Sequence, residues 1–203
     1  MSSNFLPYIQ KIFPAITCRK STTKRQLWLT FDDGPNPEIT QWVLKQLDIL
    51  NIKATFFLVG NKIESHPNLY NLIIKRGHVI GNHSYSHKNG WKTSTKSYID
   101  DVARCEELLK GSNLFRPPYG KITPLQIKKL KLNYRIILWD VLSYDFKKNI
   151  SVSNVKNNVL NNVKPGSIIV FHNNFKSYNI LQKCLADILK ELKQRGYSFS
   201  TTW

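Results

Sequence analysis

Short apolar runs, rich in β-branched and aromatic residues, alternate along this chain with longer stretches of helical periodicity. The runs Leu27–Phe31, Ala54–Val59, His78–Ile80, Leu114–Phe115, Tyr134–Trp139, Ser167–Phe171 and Ser198–Thr201 read as strands. Helical stretches lie between them. Asn36-Pro37-Glu38 supplies an N-cap, a proline at the first helical position and an early acid, ahead of Trp42, Val43, Leu47 and Leu50. His66–Arg76 and Ser97–Lys110 stop at Gly77 and Gly111, and a short helix is expected over Pro124–Lys131. Ser151–Asn162 and Tyr178–Arg195 complete the set, the last stopping at Gly196. About seven strands, most followed by a helix, predict a parallel sheet covered by helices, either a barrel or a doubly wound sheet.

The chain has 203 residues and no repeat, low-complexity tract or linker to divide it. Its 30 Lys and Arg against 13 Asp and Glu leave a charge of +17, a field that attracts anionic polymers. The basic residues are scattered, with no run longer than a pair, which equally suits lysines filling solvated faces. No RRM, KH, zinc-finger or helix-turn-helix signature is present, so no specific nucleic-acid partner is expected, and peripheral contact with an anionic envelope surface stays open. Neither GxGxxG nor GxxxxGK[ST] follows a strand, which removes support for a phosphate-cradling fold. Cys18, Cys105 and Cys184 are odd in number, far apart and outside any CxxC, so each reads as a free or buried thiol. The first seventeen residues have no basic n-region and are interrupted by Pro7 and Pro14, so they do not read as a signal peptide. Phe5, Leu6, Ile9, Ile12 and Phe13 fall at helical spacing there and are expected to dock on the domain.

Polar clusters follow the predicted strands: "DDG" the first, "GNHSYSH" the third, "RPPYG" the fourth, "WDVLSYD" the fifth and "HNN" the sixth. Ligands of parallel α/β folds bind beyond the carboxyl ends of strands, so these clusters would converge on one site. His83 and His87 have the i, i+4 spacing that sets two imidazoles on one face of a helical turn. Asp33 would complete a set of two imidazoles and one carboxylate, suited to zinc or a similar divalent ion that acidifies water. Asp32 is then the candidate general base. That assignment asks for a turn at Asp32-Asp33, since neighbouring strand residues point to opposite faces, and Gly34-Pro35 makes a turn plausible. His172, at a strand end, is a candidate general acid. Arg116 reads as a cation that orients Asp32, and Tyr119 as a sugar-stacking ring or an oxyanion donor through its backbone N–H.

In this order the residues resemble the NodB-like polysaccharide deacetylases, the metal-dependent carbohydrate esterases of family 4. The blocks TFDDG, H[ST]xxH, RxPY, DxxDW and LxH of that family match Thr30–Gly34, His83–His87, Arg116–Tyr119, Leu142–Phe146 and Val170–His172. The resemblance implies a distorted (β/α)7 TIM-like barrel over residues 27–203, with residues 1–26 as an N-terminal extension packing on it. It implies Asp32 as base, Asp33, His83 and His87 as ligands of one divalent ion, usually zinc, and Arg116 as the residue that orients the base. Tyr119 would supply the oxyanion N–H, and His172 the general acid, held and tuned by Asp145. The implied reaction is removal of N-acetyl or O-acetyl groups from a glycan containing N-acetylglucosamine. A small non-sugar amide or imide is the alternative substrate on the same fold, and a non-catalytic basic module the alternative of another kind. Leu142, Phe146 and Val170 depart from the family blocks, the last two on the expected substrate wall.

Overall fold

The computed structural model describes residues 10–109 and 111–203. Its strands are β1 (Ile16–Thr17), β2 (Gln26–Gly34), β3 (Thr55–Leu58), β4 (Val79–Asn82), β5 (Leu114–Phe115), β6 (Arg135–Ile137), β7 (Val141–Leu142), β8 (Ile168–His172) and β9 (Ser198–Phe199). The helices are α1 (Pro37–Ile49), α2 (Gly60–Ser65), α3 (Pro67–Lys75), α4 (Thr95–Glu106), α5 (Pro124–Leu130), α6 (Val152–Leu160) and α7 (Phe175–Gln194). The strands pair in the order β1-β6-β5-β4-β3-β2-β8-β7, with β9 added to β2, and every pairing between them is parallel. The parallel sheet curls into a half-barrel covered by helices, the form taken here by the distorted (β/α)7 barrel that the resemblance implied. Among the described residues, no helix is long and apolar enough to cross a membrane, and all three cysteines are buried free thiols.

Alternation along β2 sorts the core into two layers. Leu27, Leu29 and Phe31 face the helices and pack with Val43, Leu47, Leu185 and Ile188. Trp28 faces the barrel interior with Phe57, Leu114, Ile137 and Ile168. Two-residue steps from Trp28 carry Thr30 and then Asp32 up the inner wall. A strand buried on both faces reads as a continuous apolar run, as this one does.

Several elements depart from the expected boundaries. Two-residue strands β1 and β7 are too short to show a period, so the sequence pattern does not reveal them. β1 draws residues of the expected N-terminal extension into the sheet beside β6. Phe13 packs against the Ile16 cluster whereas Ile12 is exposed, and Phe5, Leu6 and Ile9 lie outside the described residues. Helix α2 precedes α3 and the two are broken at His66-Pro67, where Pro67 starts a new helix. Helix α7 begins at Phe175, three residues before the expected Tyr178, with Asn174 as its N-cap.

Candidate metal and catalytic site

The two neighbouring acids share one site without the expected turn. β2 runs on through Asp32 and Asp33 to Gly34, and its register against β3 shifts there: Asp32 pairs with Phe57 and Gly34 with Leu58, leaving Asp33 as the extra residue of a bulge. Asp33 has φ 73°. That left-handed conformation, which aspartate tolerates better than most residues, turns its side chain away from the helix layer. Both acids border the same cleft. Gly34 is required behind them, since a Cβ there would stand 2.7 Å from Asn173 Nδ2.

The histidine pair also departs from expectation. His83 and His87 lie on an irregular loop after β4 rather than on a helical turn, with Ser84 and His87 at φ 62° and 57°. Two left-handed residues fold the loop back so that the ring centroids approach to 5.0 Å. The His83 Nδ1 stands 2.8 Å from the Arg116 carbonyl, which can only accept, so this nitrogen carries the proton and Nε2 presents a lone pair. Asp33 Oδ1 lies 3.5 Å from His83 Nε2 and 3.0 Å from His87 Nε2. The three donors fall within 4.8 Å of one another. Donors about 2.1 Å from a tetrahedral ion stand about 3.4 Å apart, so this set fits a zinc-sized divalent cation. Burial would raise the Asp33 pKa, but the two imidazoles and the positive field of His172 hold it well below the carboxylate range.

Arg116 is fully buried and makes four hydrogen bonds. Its Nη1 donates to Asp32 Oδ1 and Thr30 Oγ1, both at 2.7 Å, Nε to the Ile137 carbonyl and Nη2 to the Leu138 carbonyl. The guanidinium lies 4.0 Å from the Phe57 ring centre. Burial pulls its pKa below the usual value and Asp32 opposes that pull. His172 Nδ1 donates to Asp145 Oδ1 at 2.7 Å, and its backbone N–H to Asp145 Oδ2 at 2.8 Å. Ser143 Oγ donates to the same Oδ1. Burial would lower the His172 pKa, but Asp145, with Asp33 and Asp32 behind it, raises it to about 9.

A cleft of about 880 Å³ opens over these groups, bordered by Trp91, Tyr119, Trp139, Leu142, Tyr144 and Phe146. Tyr119, at φ 60°, packs its ring against His87, and Phe146 packs against His172, with centroids 4.6 and 4.7 Å apart. Val170, expected on the substrate wall, does not line the cleft: it is fully buried on β8, one inward step below His172. Leu142 lines it instead. Tyr85, between the two histidines, turns away to Glu64 and Arg104. The sequence reading gives no role to Asn174, whose Nδ2 donates to Asp33 Oδ2 at 2.6 Å, or to Lys62, whose Nζ donates to the Asp33 carbonyl at 2.7 Å. The HNN cluster after β8 brought Asn174 toward the site without giving it a role; Lys62 carries no such signal.

A parallel half-barrel with this donor set at its strand ends defines a hydrolase of the metal-dependent carbohydrate esterase class. A family model described as polysaccharide deacetylase matches residues 19–135. A peptidoglycan-N-acetylglucosamine deacetylase of Bacillus cereus is 40% identical over 187 residues, covering 88% of this chain and 67% of that one. The chain belongs to the polysaccharide deacetylase family. The solved Bc1960 peptidoglycan N-acetylglucosamine deacetylase superposes with a TM-score of 0.83 at 37% identity, over 92% of this chain and 90% of its own. PdaC of Bacillus subtilis, a peptidoglycan-N-acetylmuramic acid deacetylase, is 30% identical over 178 residues, 85% of this chain but 37% of its own length.

Proposed function

We propose that this protein removes acetyl groups from N-acetylglucosamine residues of peptidoglycan, with zinc held by Asp33, His83 and His87. The observation that carries the reading is the Asp33–His83–His87 cluster, facing Asp32 and His172 across one aromatic-walled cleft. A divalent ion there supplies Lewis acidity, acidifying water and polarising the acyl oxygen. Asp32 takes the proton from the attacking water, and Arg116 holds that carboxylate aimed through the Nη1 hydrogen bond to Oδ1. The Tyr119 backbone N–H donates to the oxygen of the acetyl group as negative charge builds on it. His172, with Nδ1–H bound to Asp145, gives its Nε2 proton to the amine as the carbon–nitrogen bond breaks, releasing acetate. Phe146 flanks His172 and, with Trp91, Tyr119 and Tyr144, offers faces for sugar rings.

Two features favour an acidic glycan over a small amide. The cleft is large and open, and Lys62, Lys121 and Lys176 border it while Asp32 and Asp33 are its only carboxylates among the described residues. The higher identity to the N-acetylglucosamine deacetylases favours that sugar over N-acetylmuramic acid. The test is zinc content of the purified protein together with acetate release from peptidoglycan and chitooligosaccharides. Asp33→Ala and His87→Ala are expected to lose both zinc and acetate release. Acetate release that survives either substitution refutes the metal reading, and analysis of the deacetylated disaccharides separates the two sugars.

A further inference from the structure

Asn174 stands in the HNN cluster after β8 but outside the family blocks, and its side chain reaches the centre of the site. The two oxygens of the Asp33 carboxylate have different partners: Oδ1 faces His83 and His87, while Oδ2 accepts from Asn174 Nδ2 at 2.6 Å. The other end of the same amide works on a helix. Asn174 Oδ1 accepts from the backbone N–H groups of Lys176 and Ser177, at 3.0 and 3.2 Å, at the N-terminus of α7. Those helix donors demand the amide oxygen, so the NH2 group is forced toward Asp33. Asparagine suits the position because one planar group accepts from the helix and donates to the carboxylate.

The platform beneath this contact is fixed from several sides. Asn173 is fully buried; its backbone N–H donates to the Asp32 carbonyl at 2.7 Å and its Nδ2 to Thr40 Oγ1 at 2.9 Å. Asn36 Nδ2 donates to the Asn173 carbonyl, so the N-cap residue of α1 ties down this loop and makes no side-chain cap of its own helix. Helix α7 buries Leu181, Leu185, Ile188, Leu189 and Leu192. Asp33, by contrast, stands on a bulge at positive φ, where its own strand does little to set its side-chain torsion.

We propose that Asn174 is a positioning residue for the metal site, locking the Asp33 carboxylate so that Oδ1 alone is presented beside the two imidazoles. The inference rests on Asp33, His83 and His87 being the metal ligands. Outer hydrogen-bond partners of this kind typically change metal affinity by about 10- to 100-fold when removed, because the ligand must then be ordered as the ion binds.

The experiment separates the capping role from the positioning role. Serine ranks with asparagine as an N-cap, but its shorter side chain cannot cap α7 and reach Asp33 together. The zinc Kd of the full chain is measured by competition with a chromophoric chelator for the unsubstituted protein, Asn174→Ser, Asn174→Ala and Asp33→Ala, with a urea midpoint for each. Asn174→Ser is expected to bind zinc about 10- to 100-fold more weakly at an unchanged midpoint. Asn174→Ala is expected to show the same weakening with a lower midpoint, and Asp33→Ala to bind no zinc. Unweakened binding by Asn174→Ser, beside loss of binding in Asp33→Ala, overturns the positioning role and leaves the metal reading standing. Affinity that falls only in step with stability across the two Asn174 variants also overturns it. Failure of the unsubstituted protein to bind zinc overturns both.

Discussion

Replacing Arg116 with methionine removes the cation paired with Asp32 inside the barrel wall. The guanidinium has no exposed surface and makes four hydrogen bonds, to Asp32, Thr30 and the carbonyls of Ile137 and Leu138. Methionine fills much of the volume but leaves a buried carboxylate and two carbonyls without their donor. Breaking a buried ion pair from one side costs about 3–5 kcal/mol. With a urea slope of about 2 kcal/mol per molar, the midpoint should fall by about 1.5–2.5 M. Asp32→Leu should also destabilise, since it leaves the guanidinium buried without its anion. The double variant removes both charges, so its cost should be smaller than the sum of the singles by about 2 kcal/mol or more. Urea unfolding of all four proteins, followed by circular dichroism, measures the coupling. Single-variant costs that add within about 0.5 kcal/mol would show that Arg116 and Asp32 do not act as a buried pair, and the argument for an oriented base would fall with them.

Two predictions concern pH. His172 has its pKa raised to about 9, so its charged form contributes stability that is fully present below the unfolded value near 6.5 and is lost as pH rises through 9. If His172 is the general acid, the acetate-release profile has a basic limb that Asp145→Asn moves down, because the amide no longer favours the imidazolium; a limb that stays in place refutes the role. His78 behaves oppositely: burial, with the nearby Lys53 and Arg76 charges, lowers its pKa to about 4. Its Nδ1 accepts from the Ala54 backbone N–H, and protonation would break that bond. Stability is therefore present above pH 6.5 and lost as pH falls toward 4, with proton uptake on unfolding across that window. Urea midpoints taken between pH 7 and 4.5 should fall less in His78→Gln than in the unsubstituted protein, and an identical slope refutes the assignment.

Much of the architecture was legible because its causes are local. A central parallel strand must be apolar on both faces, and a helix needs a start and an apolar stripe; Leu27–Phe31 and Pro37–Ile49, with proline at its first position, carry these signals in their own residues. The order of the polar blocks likewise announced the family and the identity of the acids and histidines. What the sequence could not decide was how those residues turn. Neighbouring strand residues ought to diverge, and only the pairing of β2 with β3 creates the bulge that brings Asp33 round beside Asp32. The i, i+4 spacing of His83 and His87 suggested a helix, whereas left-handed residues in an irregular loop bring the rings together. Val170 stood at a family-block position but is buried by its strand, and Asn174, outside the family blocks, touches Asp33. Residue types and local periodicity belong to the chain itself, so the sequence determined the fold class and the chemical inventory. Bulge register, side-chain direction and contacts between residues 141 positions apart arise only when strands pair, and these the tertiary structure decided.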